Sequence, residues 1–498
     1  MIQTLIYSIP PLDTTKPPLS GALLASVCGQ LGHDCIAVDL QVNLNLFLEN
    51  QNIDANCFDN VFYDNETSFS THQLDILNLF IDNELARFCT VDYDYILVSF
   101  FSYLSQHFGR LFLKKLRSKT KATILIGGAG IETLSNGPFF AEELKKLKYI
   151  DEYIVGEAEE ILPVYFETKS GPGIGNKNFK QIENLDLQVF PNYSYYDLTK
   201  YKIENKEQEL TIIGSRGCVR KCKFCDVEAS TPKYKFRSGA NIAKEIIGHY
   251  EKHGVTRFYF ADSLVNGSYK AFNDMCHALA GYQFEKPISW SGQYIVRSKD
   301  STPKDHFKLL KQSGCSTLFI GIESGSDRVR ADLGKKFTND DIEYYLENFY
   351  QHDIQTLFLF FTGYVSETEQ DHAETLQMFK RWQKYVATGT IQGIETLNIL
   401  GILPGSPLNE IAKNENYLFL TDHNGLPDRR GWINPSNPGF DFKQRVQRHI
   451  EMMEQAMKYH WPLWNGHLSI DLYERALLKF IDLPKKYIPI MPSSKITQ

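Results

Sequence analysis

The stretch ELTIIGSRGCVRKCKFCD, residues 209–226, decides how the rest of this chain is read. It opens on a short apolar run, 209–213, with the character of a buried strand, and then turns through Gly214 and Gly217 into three closely spaced cysteines. Cys218, Cys222 and Cys225 stand in the spacing C-x3-C-x2-C. Three thiolates on one short loop can ligate three irons of a cubane cluster and leave the fourth iron open to a substrate or cofactor. Zinc is the competing reading, but a structural zinc asks for a fourth protein ligand, usually from a second C-x2-C pair. The sequence has no such second pair. Gly217 lets the backbone turn tightly just before the first ligand.

Downstream, strand-like runs recur at 256–261, 287–295, 316–321, 355–361 and 391–398, with helical patterns at 239–252, 268–281, 303–313, 338–351 and 367–386. With 209–213 this makes six β/α units. A closed barrel has eight, so an open, partial (β/α)6 barrel is expected, with its site in the loops after the strands. Upstream, apolar runs at 2–8, 34–39, 94–99, 122–126 and 150–155 alternate with helical patterns near 20–31, 74–88, 105–118, 138–147 and 158–168. Continuous apolar strands separated by helices indicate a parallel sheet covered on both faces. Five such units predict a flavodoxin-like, doubly wound domain. The polar, Asn-rich stretch 41–73 reads as an insertion in it. The run SGPGIGNKN (170–178) reads as linker. The expected organisation is therefore 1–169 doubly wound domain, 170–205 linker, 206–400 partial barrel and 401–498 mostly helical C-terminal region.

The bulk numbers narrow the function. A net charge of −7 argues against broad phosphate-backbone binding, so no nucleic-acid partner is expected. No apolar run approaches the roughly 18–20 residues of a membrane span, and the N-terminus lacks a basic leader, so a cytoplasmic location is expected. Of nine cysteines, the six outside the triad are scattered (Cys28, Cys35, Cys57, Cys89, Cys276, Cys315) and read as small core residues rather than a disulfide framework.

The C-x3-C-x2-C loop, with aromatic Phe224 before its last Cys and a place after the first of six β/α units, resembles the signature of the radical S-adenosylmethionine superfamily. The resemblance implies a [4Fe–4S] cluster on Cys218, Cys222 and Cys225 as metal ligands. It implies S-adenosylmethionine on the open iron, cleaved by an electron to a 5′-deoxyadenosyl radical, and an electron donor such as flavodoxin or ferredoxin. GIESGSDRV (321–329) resembles the family segment whose Glu contacts S-adenosylmethionine, which gives Glu323, with Ser324 beside it. In WSGQYIVR (290–297), Gln293 and Arg297 point the same way if strand alternation holds, and face either the cofactor or the barrel lining. In FADSLVNGS (260–268) the family's glycine-rich segment for the methionyl amine is absent, and Ser263 is the replacement expected here. Asp262 and Asn266 follow the second barrel strand and are expected as catalytic, substrate-positioning contacts; helix cap and turn residue are the structural readings of the same pair.

The N-terminal pieces PPLSGALLASVCGQLGHDCIAVD, ILVSFFSYLS, ILIGGAGIE and YIVGEAEEILP resemble the cobalamin-binding class of radical enzymes. Short Gly/Ser loops let a planar corrin approach the backbone, which implies cobalamin contacts at Ser99, Ser102, Gly127, Gly128, Gly156 and Glu157. Such domains classically carry D-x-H-x-x-G with His ligating cobalt. Aligned on Gly21 the segment here is KPPLSG, with Pro18 in the His position, so no protein His ligand to cobalt is expected. The resemblance thus implies a cobalamin-dependent C-methyltransferase acting on an unactivated carbon of a small-molecule or peptide substrate. The alternatives are a radical rearrangement or cyclisation, a methylthiotransferase, and a non-catalytic iron–sulfur sensor.

Overall fold

The computed structural model describes residues 2–58, 69–132, 136–175, 180–201, 207–421, 427–464 and 487–489. The chain divides into two compact units, residues 1–212 with 248–257 and residues 213–247 with 258–498.

The first unit is built on five strands, β1 (Gln3–Ile9), β2 (Asp34–Asp39), β3 (Tyr95–Phe100), β4 (Thr123–Gly127) and β5 (Glu152–Tyr153). They lie in the order β2-β1-β3-β4-β5, all parallel. Leu5, Ile96 and Ile124 are fully buried, as the continuous apolar strands require. The helices are α1 (Leu19–Gln30), α2 (Leu40–Asn50), α3 (Thr71–Phe88), α4 (Ser105–Arg117), α5 (Gly137–Lys146) and α6 (Ala158–Thr168). Strand order reverses between β1 and β3, and the crevice beyond the carboxyl ends there is where doubly wound sheets bind ligands.

Part of the stretch expected as an insertion is regular structure. Asp39 caps α2 by accepting from the Gln41 and Val42 amides at 2.9 and 3.3 Å. Leu40, Leu44 and Leu48 form a buried stripe at four-residue spacing, which the interleaved asparagines hide in the sequence. Residues 59–68 lie outside the described residues. After α6, the segment expected as linker buries Ile182, Leu185, Tyr193, Tyr196 and Tyr201.

The second sheet holds β6 (Glu209–Ile212), β9 (Arg257–Phe260), β10 (Ser289–Gln293), β11 (Cys315–Glu323), β12 (Gln355–Thr362) and β13 (Ile391–Ile399). Its order, β13-β12-β11-β10-β9-β6, keeps sequence neighbours adjacent in space, an open six-stranded barrel wall. Along the chain, a separate ribbon of β7 (Ser215–Arg216) and β8 (Lys235–Phe236) follows β6 and precedes β9, with a single helical turn, α7 (Val227–Ser230), between its strands. The longer helices are α8 (Gly239–His253), α9 (Tyr269–Gly281), α10 (Asp305–Gln312), α12 (Asn339–Gln351) and α13 (Glu369–Arg381). The short helix α11 (Asp327–Leu333) was not anticipated, and the expected helical stretch 367–386 is divided at Trp382 into α13 and α14 (Gln383–Ala387). The C-terminal region has helices α15 (Pro407–Asn414) and α16 (Phe442–Lys458), and adds a small antiparallel sheet of β14 (Leu418–Thr421), β15 (Pro427–Ile433) and β16 (Tyr487–Pro489). Among the described residues no helix is long and apolar enough to cross a membrane.

Candidate functional site

The cysteine loop leaves the carboxyl end of β6 and is closed at its base. β7 pairs antiparallel with β8, Ser215 opposite Phe236 and Arg216 opposite Lys235, so the intervening residues form one bracketed loop. Gly217 turns with φ +79°, where a Cβ would come within 3.0 Å of the Lys233 carbonyl. Within the loop the Arg220 amide donates to Cys218 Sγ at 3.4 Å and the Cys225 amide to the Cys222 carbonyl at 3.1 Å. The far side is held by the end of α11: the Lys223 amide donates to the Leu333 carbonyl at 3.0 Å, and Lys223 pairs with Asp332.

All three thiols are half-buried and free of disulfides. Burial pushes each up from the ordinary thiol value, Cys225 to about 11. Lys335 and Arg220 face Cys218 and Cys222 and act the other way. Among the described residues no group of three or more His, Cys, Asp or Glu side chains is gathered to hold a metal ion, so the fit to a cluster rests on donor chemistry and loop shape. Three thiols on one bracketed loop with two nearby cations suit three iron–thiolate bonds, since ligation deprotonates a thiol outright.

The other barrel residues fall into two groups. Asp262 is turned inward. It accepts from the Gly214 amide at 2.9 Å and from the Ser215 hydroxyl, and so fastens the base of the cysteine loop. Burial raises its carboxyl to about 6. Asn266 is fully buried, and its amide donates to the Ile295 carbonyl and accepts from the Ile295 amide, both at 2.9 Å. Arg297 donates to the Asn266 carbonyl at 2.7 Å and lies over the Tyr269 ring. These three brace loops; the cap of α9 is Ser268, not Asp262. Ser324 shares a hydrogen bond with Thr375 on α13. Phe224 meets Phe361 edge to face at 5.0 Å and packs on a core with Val329 and Leu333.

Glu323, Gln293 and Ser263 remain near the strand ends. Glu323 ends β11 in the left-handed region, φ +60°, beside a register shift against β12. A non-glycine residue held there costs on the order of 1–3 kcal/mol and clusters at functional sites. Gln293 is half-buried at the end of β10, with its carbonyl taken by the Val265 amide. Ser263 is half-buried in the loop after β9. Sequence reasoning missed Lys335, which bonds Glu323 at 2.9 Å. Its only signal is its place after Gly334, which ends α11 with φ +89°.

In the first unit, Ser99 donates to Ser20 at 2.9 Å, and Glu157 accepts from the Ile182 amide at 2.5 Å. Gly156, φ +119°, is met by Lys180, and Gly128, φ +99°, by the Phe100 carbonyl, each 2.4 Å from where a Cβ would stand. These glycines are required by the chain's own close approaches. Gly127 ends β4 and Ser102 lies half-buried after β3. Beside them Phe101 and Tyr103 are 65% and 48% exposed, a pair of aromatic surfaces the sequence reading passed over. Gly128 is itself exposed, so the carboxyl edge of β3 and β4 presents bare backbone next to aromatic rings. That surface fits a planar, largely apolar ring. His33, by contrast, sits before β2 at the amino edge, hydrogen-bonded to Thr4 at 3.0 Å.

Residues 212–379 match the family model of the Radical SAM superfamily. The chain carries a radical SAM domain. An uncharacterized methyltransferase, PH0819, of Pyrococcus horikoshii is 25% identical over 256 residues, 48% of this chain and 54% of that protein. A tRNA-2-methylthio-N(6)-dimethylallyladenosine synthase of Petrotoga mobilis is 25% identical over 281 residues, 54% of this chain and 59% of that protein. The chain thus spans a little over half the length of these relatives. The solved structure of the radical S-adenosylmethionine methyltransferase TsrM from Kitasatospora setae, with cobalamin and a [4Fe–4S] cluster bound, superposes with a TM-score of 0.61. That likeness covers 94% of this chain and 92% of TsrM at 12% identity, a likeness of fold. The radical SAM domain begins on the last residue of β6 and takes in the cysteine loop, Glu323 and Lys335.

Proposed function

We propose that this protein is a cytoplasmic radical S-adenosylmethionine enzyme whose cluster is held by Cys218, Cys222 and Cys225, and that it is a cobalamin-dependent C-methyltransferase. The observation that carries the reading is the three-thiol loop at the carboxyl end of the first barrel strand, inside the matched radical SAM domain. When bound, the cluster and S-adenosylmethionine supply hydrogen abstraction at an unactivated carbon, and cobalamin supplies the methyl group.

The chain's own residues have distinct parts in this reading. The β7–β8 ribbon and Asp262 fix the loop that carries the thiols. Glu323 offers one carboxylate oxygen to S-adenosylmethionine while Lys335 holds the other. Gln293 and Ser263, at the ends of neighbouring barrel units, contact the same cofactor. Asn266 and Arg297 position these loops without touching the reacting atoms, which revises the expected catalytic role of Asp262 and Asn266 toward support. In the first unit the exposed edge at Phe101, Tyr103 and Gly128 receives the corrin face. Substrate is a small molecule or peptide, and reducing equivalents come from a flavodoxin- or ferredoxin-like donor.

The methylthio relative favours a second reading, methylthiotransfer. That chemistry calls for a second set of cluster cysteines near the N-terminus. Cys28 and Cys35 are buried neighbours, Cys57 is exposed and Cys89 half-buried, and the four do not share one short loop as the triad does. Anaerobic reconstitution tests the primary reading: the wild-type chain should take up about four irons by the cubane stoichiometry and cleave S-adenosylmethionine to 5′-deoxyadenosine under a low-potential reductant. A Cys222→Ala chain that still cleaves at the wild-type rate would overturn it.

A further inference from the structure

Lys335 lies at a junction that no sequence motif marks. Its main chain is fixed by the end of α11, where the Lys335 amide donates to the Arg330 carbonyl at 2.9 Å after the left-handed turn at Gly334. Its side chain is nearly buried, 14% exposed, unlike its exposed neighbour Lys336. The ammonium donates to Glu323 Oε1 at 2.9 Å and to the Gly321 carbonyl at 2.7 Å, and lies 5.8 Å over the Phe224 ring. Gly321 leaves room for this arrangement: a Cβ there would stand 2.5 Å from Glu323 Oε1 and 2.9 Å from Lys335 Nζ. Phe224 stands between Cys222 and Cys225, so the ammonium over its ring lies beside the cysteine loop. The turn that carries it also grips the cysteine loop, because Leu333 accepts from Lys223 and Gly334 lies against Lys221 and Cys222.

We infer that Lys335 is a positioning residue of the cluster site, holding Glu323 Oε1 so that Oε2 stays open to a ligand, and setting a positive charge beside the cysteine loop. The inference rests on the reading of this loop as a cluster loop. A strained left-handed turn that ends in a buried carboxylate is kept only when its surroundings over-determine it. Lys335 supplies that determination with two hydrogen bonds from one nitrogen. As a fixed cation beside a cluster it favours the more negative, reduced state, and Glu323 opposes it.

The test uses the reconstituted holoprotein, reading the cluster midpoint potential by spectroscopically monitored titration and S-adenosylmethionine affinity by calorimetry. Lys335→Met should shift the potential to more negative values and weaken S-adenosylmethionine binding about tenfold, as loss of a charge-assisted contact does. Glu323→Gln should move the potential the opposite way, and Lys335→Arg should restore both readouts. A residue that only fills space cannot produce shifts of opposite sign in the two partners. Because Lys335→Met leaves a buried carboxylate alone and can unfold the site, the double variant Lys335→Met/Glu323→Gln serves as a second measurement; it should keep its iron and give a potential between those of the single variants. A folded, iron-loaded Lys335→Met chain with unchanged potential and affinity overturns the inference while leaving the cluster reading intact. Failure of the wild-type chain to take up iron overturns both.

Discussion

At Asp262 a carboxyl group is taken wholly out of water and given only neutral donors, the Gly214 amide and the Ser215 hydroxyl. Burial outweighs those bonds and raises the carboxyl to about 6. The consequence has a definite sign. Between the unfolded value near 4 and the folded value, the native chain keeps a proton that the unfolded chain has released. The contribution of Asp262 to stability is therefore greatest below that window and falls as pH rises through it, by about 2–3 kcal/mol for a shift of roughly two units. Asp262→Asn should remove this slope, which chemical denaturation at pH 4 and pH 7 would show as a flattened difference. Asn266 makes a second prediction. Asn266→Ala orphans the Ile295 carbonyl and amide together, and should cost about 2–6 kcal/mol at one to three per group, measured as a drop in denaturation midpoint. Asn266→Asp should not rescue it, because a carboxylate cannot donate to Ile295. Both positions were visible in the sequence as polar residues after a strand; that they point inward was not, since nothing in FADSLVNGS says which side chains the next loops will bond.

Among the elements, what was legible followed periodicity. All six barrel strands and all five strands of the first sheet lie where they were expected; in the first sheet burial on both faces leaves a nearly uninterrupted signal, whereas β9 and β10 alternate buried and half-buried positions. The helix α2 escaped because four asparagines within 43–52 mask a stripe of leucines. The segment after α6 escaped for a related reason. Its Gly- and Asn-rich start reads as linker, yet its later tyrosines pack. Tyr201 donates to Asp39 at 3.0 Å, and Asp39 also caps α2, so one buried carboxylate joins the helix start to the end of that segment. Burial raises Asp39 to about 6 despite these three donors. Tyr201→Phe deletes one of them at little change in volume and should cost about 1–2 kcal/mol. Limited proteolysis is the sensitive readout, because local opening precedes global unfolding. Cleavage between 170 and 201 should quicken in the variant while cleavage elsewhere holds its wild-type rate. Equal cleavage patterns would mean that packing of Tyr193 and Tyr196 alone fixes the segment.

For the molecule as a whole, the fold likeness to a cobalamin-bound radical SAM methyltransferase extends over nearly the entire chain at 12% identity, so it speaks for architecture, and ligand choice has to be argued from surfaces. Strand order reverses between β1 and β3, which puts the ligand crevice of the first unit beside the loop after β3. That loop carries Phe101 and Tyr103, both large and both open to water. Aromatic rings in such a place contribute little to folding, since exposed substitutions usually move stability by less than about 0.5 kcal/mol. They would contribute to binding a flat ring, where stacked aromatic contacts add on the order of 0.5–1.5 kcal/mol each beyond buried area. The double substitution Phe101→Ala/Tyr103→Ala should then leave the thermal midpoint within about two degrees of wild type and weaken hydroxocobalamin binding about tenfold or more in a visible-absorbance titration. The Co(II) form of the wild-type complex should show no protein nitrogen in its paramagnetic resonance spectrum, as Pro18 occupies the position of the motif's histidine. Unaltered cobalamin affinity in the double variant would move the corrin away from this edge. Absence of any binding by the wild-type chain would leave the doubly wound unit as a scaffold and remove methyl transfer from the proposed chemistry, with cleavage of S-adenosylmethionine on the Cys218–Cys222–Cys225 loop untouched.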